Sequence, residues 1–188
     1  MKAISKSIVL LSIFFTLSCK SQSSFESYKS CMDKSFQYTN VDFYGSLGIV
    51  EDSLLQADAL KSKSKESYIE AFQSLLSNDT AWKGYYELYK NLEKTSLNGF
   101  DLKINRFVFL GTCSSINPSL EDVKCNPEYV QRYLFNQFVK KPFDDTRLLD
   151  GLFLFTDFKD DVLRKNITYL LLLNMEKKYG VDDSMSNK

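Results

Sequence analysis

The chain has 188 residues, with 24 Lys and Arg against 24 Asp and Glu, and no histidine. A missing imidazole excludes histidine acid/base chemistry, Ser-His-Asp and Cys-His nucleophiles and the usual histidine-containing zinc sites. The balanced charge argues against nucleic acid, whose binding depends on neutralising several phosphates with clustered Lys and Arg.

The first nineteen residues form a pattern of their own. Lys2 and Lys6 make a basic start, Ile8 to Leu17 is an apolar run of ten residues, and Ser18 and Cys19 follow. Ten residues have the length of a signal-peptide core and are too few to span a bilayer, which takes about 20. The segment resembles a bacterial lipoprotein signal, in which a small residue precedes a cysteine that is acylated and becomes the new N-terminus. The resemblance implies cleavage after Ser18 and lipidation of Cys19. Thr16 stands where that pattern prefers Leu, a looser form similar to the signals of the Bacteroidota group. Lys20 is not the aspartate of enteric inner-membrane retention, which makes the outer membrane the expected address. The partner implied is membrane lipid, held through two or more acyl chains far more firmly than through one.

Residues 1–18 are thus read as signal peptide, 19–30 as lipid anchor and polar tether, 31–181 as one helical domain and 182–188 as a frayed tail. Cleavage removes Lys2 and Lys6, leaving 22 basic residues against 24 acidic ones. Fifteen Phe, eleven Tyr and one Trp supply the rings of a substantial core.

Within the domain the apolar spacing predicts an all-α, irregular bundle of about five to seven helices. Phe43, Leu47, Val50, Leu54, Leu55 and Ala59 share one face of a first helix over 41–60, with Gly45 and Gly48 weakening its early turns so that the firm part begins near Val50. The lysines of Lys61-Ser62-Lys63-Ser64-Lys65 read as a solvated surface. Ser64 caps a second helix with Ile69, Phe72, Leu75 and Leu76 inward, and Asp79 caps a third carrying Trp82, Tyr85, Tyr86, Leu88, Tyr89 and Leu92. The short turn between these two predicts a hairpin. Gly99 suits the left-handed stop after the third helix, with Phe100 folding back on it.

Residues 102–110 alternate weakly, yet a lone strand would leave its backbone groups unpaired. Helix is the reading, with Ile104, Phe107, Val108 and Leu110 as its apolar face. Asn126-Pro127 is the clearest start in the chain and Pro142 the stop of that helix. Asp144-Asp145-Thr146 opens a short helix through Phe155, and Asp160-Asp161 opens the last, which ends near Gly180. The five apolar residues Tyr169 to Leu173 mark it as a central helix, covered by helices near 129–139 and 146–156.

Cys31, Cys113 and Cys125 remain after Cys19, in a compartment that permits disulfides. Cys113 and Cys125 lie in a loop-like stretch, and a bond between them would close about a dozen residues and stabilise by roughly 3 kcal/mol. Cys31 pairing with either is the alternative, and Cys31 also suits a small buried free thiol. No Cys-x-x-Cys pair is present.

Carboxylate pairs offer the remaining chemistry: Glu51 with Asp52, Glu121 with Asp122, Asp144 with Asp145, and Asp157 with Asp160 and Asp161. Most sit where helix starts favour negative charge, and neighbours on a helix point apart. The spacing 157–161 lacks the ligands and turn glycine of a calcium loop, and Gly45-Ser46-Leu47-Gly48 lacks the Gly-Lys-Ser/Thr of a phosphate loop. Three triplets, beginning at Asp52, Asp79 and Asp183, resemble the O-glycosylation acceptor of exported Bacteroidota proteins. No metal and no cofactor is expected. The expectation is a membrane-anchored, non-catalytic binding or accessory lipoprotein of the envelope, acting on another envelope protein. An immunity or inhibitor lipoprotein against a toxin is the first alternative and a carboxylate-dependent enzyme the second.

Overall fold

The computed structural model describes residues 34, 42–77, 80–113, 127–141 and 147–180. Over them the chain forms an all-α, single-domain bundle of seven helices. They are α1 (Phe43–Gln56), α2 (Lys65–Leu76), α3 (Ala81–Thr95), α4 (Leu102–Cys113), α5 (Pro127–Lys140), α6 (Arg147–Leu154) and α7 (Asp161–Tyr179).

Helix α1 is firm from Phe43, earlier than its two glycines predict. The Asp42 carboxylate accepts from the Gly45 amide at 2.8 Å, satisfying an N–H that the first turn leaves without a helical partner. A Cβ at position 45 would lie 2.1 Å from Asp42 Oδ2 and 2.9 Å from the capping Oδ1, so the glycine admits the cap that starts the helix. Ser64 caps α2 and Asp160 caps α7 in the same way, through Ser67 N–H and Leu163 N–H. Asp101 Oδ1, which sequence reasoning passed over, accepts from Ile104 N–H at 2.8 Å at the start of α4. Thr80 precedes α3 without a side-chain cap bond; Asp79, Asn126, Asp144 and Asp145 lie outside the described residues. Gly99, at φ +84°, takes the left-handed turn after α3, and Phe100 beyond it is buried.

Helix α7 is the axis. All ten residues from Asn166 to Met175 are buried, so the helix is covered around its whole circumference. Its cover comes chiefly from α1, α3 and α5, with α2 on a further side, whereas α6 packs mainly on α5. The expected roofing by residues 146–156 is therefore shared out differently. The α2–α3 hairpin is altered for the same reason. Each of the two helices packs on α7, and they meet near the turn, where the Trp82 indole N–H donates to Ser74 Oγ at 3.0 Å. No described helix is long and apolar enough to cross a membrane.

Rings stitch the layers together. Phe43 of α1 lies 5.2 Å from Tyr169 of α7, Tyr169 lies 6.1 Å from Phe135 of α5, and Phe135 lies 5.7 Å from Phe109 of α4. Edge and tilted contacts of this kind add roughly 0.5–1.5 kcal/mol each beyond area burial.

Helix α4 has the predicted type but a different inward face. Leu102, Asn105 and Phe109 are buried, while Ile104 is 56% and Phe107 77% exposed. The rotation is held by Arg106, whose Nε and Nη2 donate to the Val139 and Lys140 carbonyls at 2.9 and 2.8 Å. Those carbonyls close α5, where the last C=O groups lack helical partners. A charged donor on orphan carbonyls outweighs turning two more apolar side chains inward.

Candidate functional site

The strongest concentration of charge in the described chain is inside it. Glu51 projects from the buried face of α1, between Leu47 and Leu54, with its side chain fully removed from solvent. Arg164 reaches it from the first turns of α7, Nε to Oε1 at 2.8 Å and Nη2 to Oε2 at 3.4 Å. The Tyr68 hydroxyl of α2 donates to Oε1 at 2.7 Å, and Lys63 Nζ lies 3.2 Å from Oε2. Each carboxylate oxygen thus meets two donors, which occupies about four lone-pair sites.

A second ring of partners completes the cluster. Tyr68 Oη and Thr168 Oγ1 are 2.6 Å apart, Arg164 Nη1 donates to the Phe158 carbonyl at 3.1 Å, and Nη2 donates to Asp161. Lys63 also pairs with Asp52 at 2.8 Å and Lys165 with Asp161 at 2.5 Å. Three acids, Glu51, Asp52 and Asp161, thereby face three bases, Lys63, Arg164 and Lys165. Burial, with the Glu51 charge beside it, drives the Tyr68 phenol well above its ordinary pKa. The Lys165 ammonium holds the Asp161 carboxyl below its own.

This arrangement is chemically closed. A general base needs a free lone pair within reach of a substrate proton, and Glu51 has neither a spare lone pair nor contact with water. The cluster ties α1, α2 and α7 together. Sequence reasoning named Glu51 only as half of a pair with Asp52, and the two do point apart: Glu51 inward and Asp52 with 59% of its side chain exposed. The available signal was the position of Glu51 on the stripe Leu47, Val50, Leu54. Lys63, read as a solvated lysine, is partly exposed and places its ammonium 3.2 Å from the buried carboxylate.

The other acidic candidates act locally. Asp160 caps α7, Asp161 joins the cluster, and Asp157 accepts from Lys159 N–H at 2.9 Å. Glu121, Asp122, Asp144 and Asp145 lie outside the described residues. So do Cys19, Cys31 and Cys125, and with them the expected disulfide. Cys113 belongs to the last turn of α4 rather than to a loop.

A cleft of about 210 Å³ opens on the surface between the α1–α2 connection, α2 and the start of α3. Trp82 and Tyr85 form its aromatic wall, Ser67 and Ser74 contribute hydroxyls, and Lys61 and Glu70 pair across its rim at 2.8 Å. Small-molecule sites usually measure about 300–1,000 Å³. This one has the size of a single side chain.

Asn105, Gln131, Asn136 and Asn166 carry buried amide atoms without a hydrogen-bond partner. Asn105 and Gln131 do not converge on one site. Arg106 meets the end of α5 and Phe109 meets Phe135, one turn earlier, so α4 and α5 run antiparallel and the two amides lie toward opposite ends of the pair. At Asn105 both amide atoms are unpaired and the residue is 1% exposed. The N105L variant is therefore expected to be more stable by about 1–2 kcal/mol, since an orphaned buried amide costs about that much. Thermal melts of the two proteins check this; a lower melting temperature for N105L would contradict it.

The fold and the described site define a class, a seven-helix all-α domain whose charged centre is structural and whose accessible features are a small cleft and an exposed stretch of α4. Comparison of the chain with protein families, with curated proteins and with solved structures finds no match in any of the three.

Proposed function

We propose that this protein is a membrane-anchored, non-catalytic binding or accessory lipoprotein of the bacterial envelope, held at the outer membrane through acylated Cys19. The observation that carries the reading is the run Ile8 to Leu17 followed directly by Ser18 and Cys19. The polar stretch Lys20 to Ser24 that follows the cysteine has little to bury, which suits a tether that lets the domain stand off the lipid. Tethering raises the effective concentration of a domain near its partner without new contacts. A domain whose strongest charges neutralise one another inside the fold, and whose cleft fits one side chain, suits that use.

Growth with radiolabelled palmitate tests the anchor. The wild-type chain is expected to carry label and sediment with the membrane fraction, and the C19S chain to do neither. An unmodified thiol at position 19 in a chain that stays in the supernatant would overturn the reading. Capture of a specific envelope protein by the solubilised, lipidated domain, weakened by a bulky substitution such as S74R in the cleft, tests the binding role.

A further inference from the structure

The cleft beside α2 and α3 carries charge that the fold does not use. Three charged residues line it, Asp58, Lys61 and Glu70, and two of them are committed to each other, Lys61 Nζ donating to Glu70 Oε2 at 2.8 Å. Asp58 is exposed, and its carboxylate has no partner among the described residues. The lining therefore holds one net negative charge, with Glu70 Oε1 as a further open acceptor.

Asp58 stands where glycine is the cheaper residue. Helix α1 ends at Gln56, and the Ala59 and Leu60 N–H groups turn back to the Leu54 carbonyl at 2.9 and 3.1 Å, a reversal that puts Asp58 at φ +58°. Left-handed stops of this kind usually carry Gly, which has no Cβ to crowd the backbone. Ser67 fixes the mouth from the other side: buried in the first turn of α2, its Oγ accepts from the Lys61 and Ser62 N–H groups at 2.8 and 3.2 Å. A carboxylate is thus held in place at the cleft, on a strained backbone, without bonding to anything in the fold.

We infer that the cleft receives the guanidinium of an arginine side chain from a partner protein, an inference that rests on the binding role proposed above. The Trp82 and Tyr85 rings stand nearly perpendicular with centroids 5.2 Å apart. Trp82 is buried and spends its N–H on Ser74, so the ring open to a ligand is that of half-exposed Tyr85. A guanidinium stacks on an aromatic face and pairs with a carboxylate through parallel N–H groups. It only donates, which matches the open acceptors of Asp58 and Glu70. The small side chains of Ala59, Ala71 and Ala81 leave room for its methylene stem. An acidic side chain would set like charge against Asp58, an apolar one would cover the acceptors with nothing to donate, and a lysine ammonium lacks the planar fork.

The test is a titration of the full solubilised chain, followed through the indole N–H resonance of Trp82, the single tryptophan of the sequence and a wall of the cleft. The probes are N-acetylarginine methylamide and its lysine and glutamate counterparts. The arginine probe is expected to shift the resonance saturably. D58N and Y85L should weaken its binding roughly threefold or more, while Y85F, which keeps the ring, stays near the wild type. D58G separates strain from recognition, since it is expected to melt higher and to bind more weakly. Lysine binding as tight as arginine, binding of the glutamate probe, or D58N and D58G chains that bind like the wild type would each overturn the assignment. Silence of the arginine probe toward a chain that still captures its envelope protein, with S74R still weakening the capture, would overturn the arginine and leave the binding role standing. Silence with no protein captured would overturn both.

Discussion

Replacing Arg164 with methionine is expected to lower the unfolding free energy by about 3–5 kcal/mol, the usual loss when one partner of a buried ion pair is removed. The R164M chain leaves the Glu51 carboxylate inside the protein with Tyr68 and Lys63 as its remaining donors, and Lys63 is shared with Asp52. It also frees the Phe158 carbonyl, which Arg164 Nη1 holds at 3.1 Å. Desolvation of the carboxylate then stands against too little compensation.

The E51L/R164M double variant discriminates the physical cause. With both charges gone the desolvation term disappears, Tyr68 keeps Thr168 and Lys63 keeps Asp52. Most of the loss is expected to return, since well-packed apolar replacements of buried ion pairs are often neutral or stabilising. Urea unfolding of the single and double variants measures the coupling directly. A double variant as unstable as the sum of its singles would contradict the account.

The second large effect is expected in alkali. Tyr68, Tyr89 and Tyr169 are at most 1% exposed. Burial raises all three phenols above the ordinary value of 10.0, with Glu51 beside Tyr68 and Glu93 beside Tyr89 pushing the same way. The folded chain keeps these protons while the unfolded chain releases them near pH 10. Their contribution is therefore complete below pH 10, and stability falls as pH rises beyond it.

Each phenol held protonated costs about 1.4 kcal/mol per pH unit above 10, so the three together approach about 4 kcal/mol per unit. A domain of ordinary stability, about 5–15 kcal/mol, should unfold cooperatively between about pH 11 and pH 14. Absorbance of tyrosinate and helical circular dichroism, followed together, check this. The buried phenols should ionise in step with helix loss; ionisation at pH 10 with the helices intact would show that these side chains are accessible.

Helix positions were largely legible because periodic apolar spacing and capping residues are local signals. Ser64, Asp160 and Gly99 act as their identities predict. The central helix was readable from the unbroken run Tyr169 to Leu173, which suits burial on several sides. The inward face of α4 was not readable. Hydropathy points Ile104 and Phe107 inward, and the competing term is the bond of Arg106 to carbonyls more than thirty positions away. Nor does local patterning contain the α2–α3 packing, since the pull of α7 on each helix belongs to neither segment.

The candidate site divides in the same way. Glu51 stands on an apolar stripe, an anomaly visible in the sequence, but its meaning lies in Arg164, 113 residues further on. The sequence by itself determined the helical class and the lack of imidazole chemistry, because these follow from composition and from neighbours a few residues apart. Only the tertiary structure decided that Glu51 and Arg164 are sealed together as an ion pair and that α4 turns Ile104 and Phe107 outward. Both outcomes depend on long-range pairing, where desolvation and orphaned backbone groups outweigh what the local pattern favours.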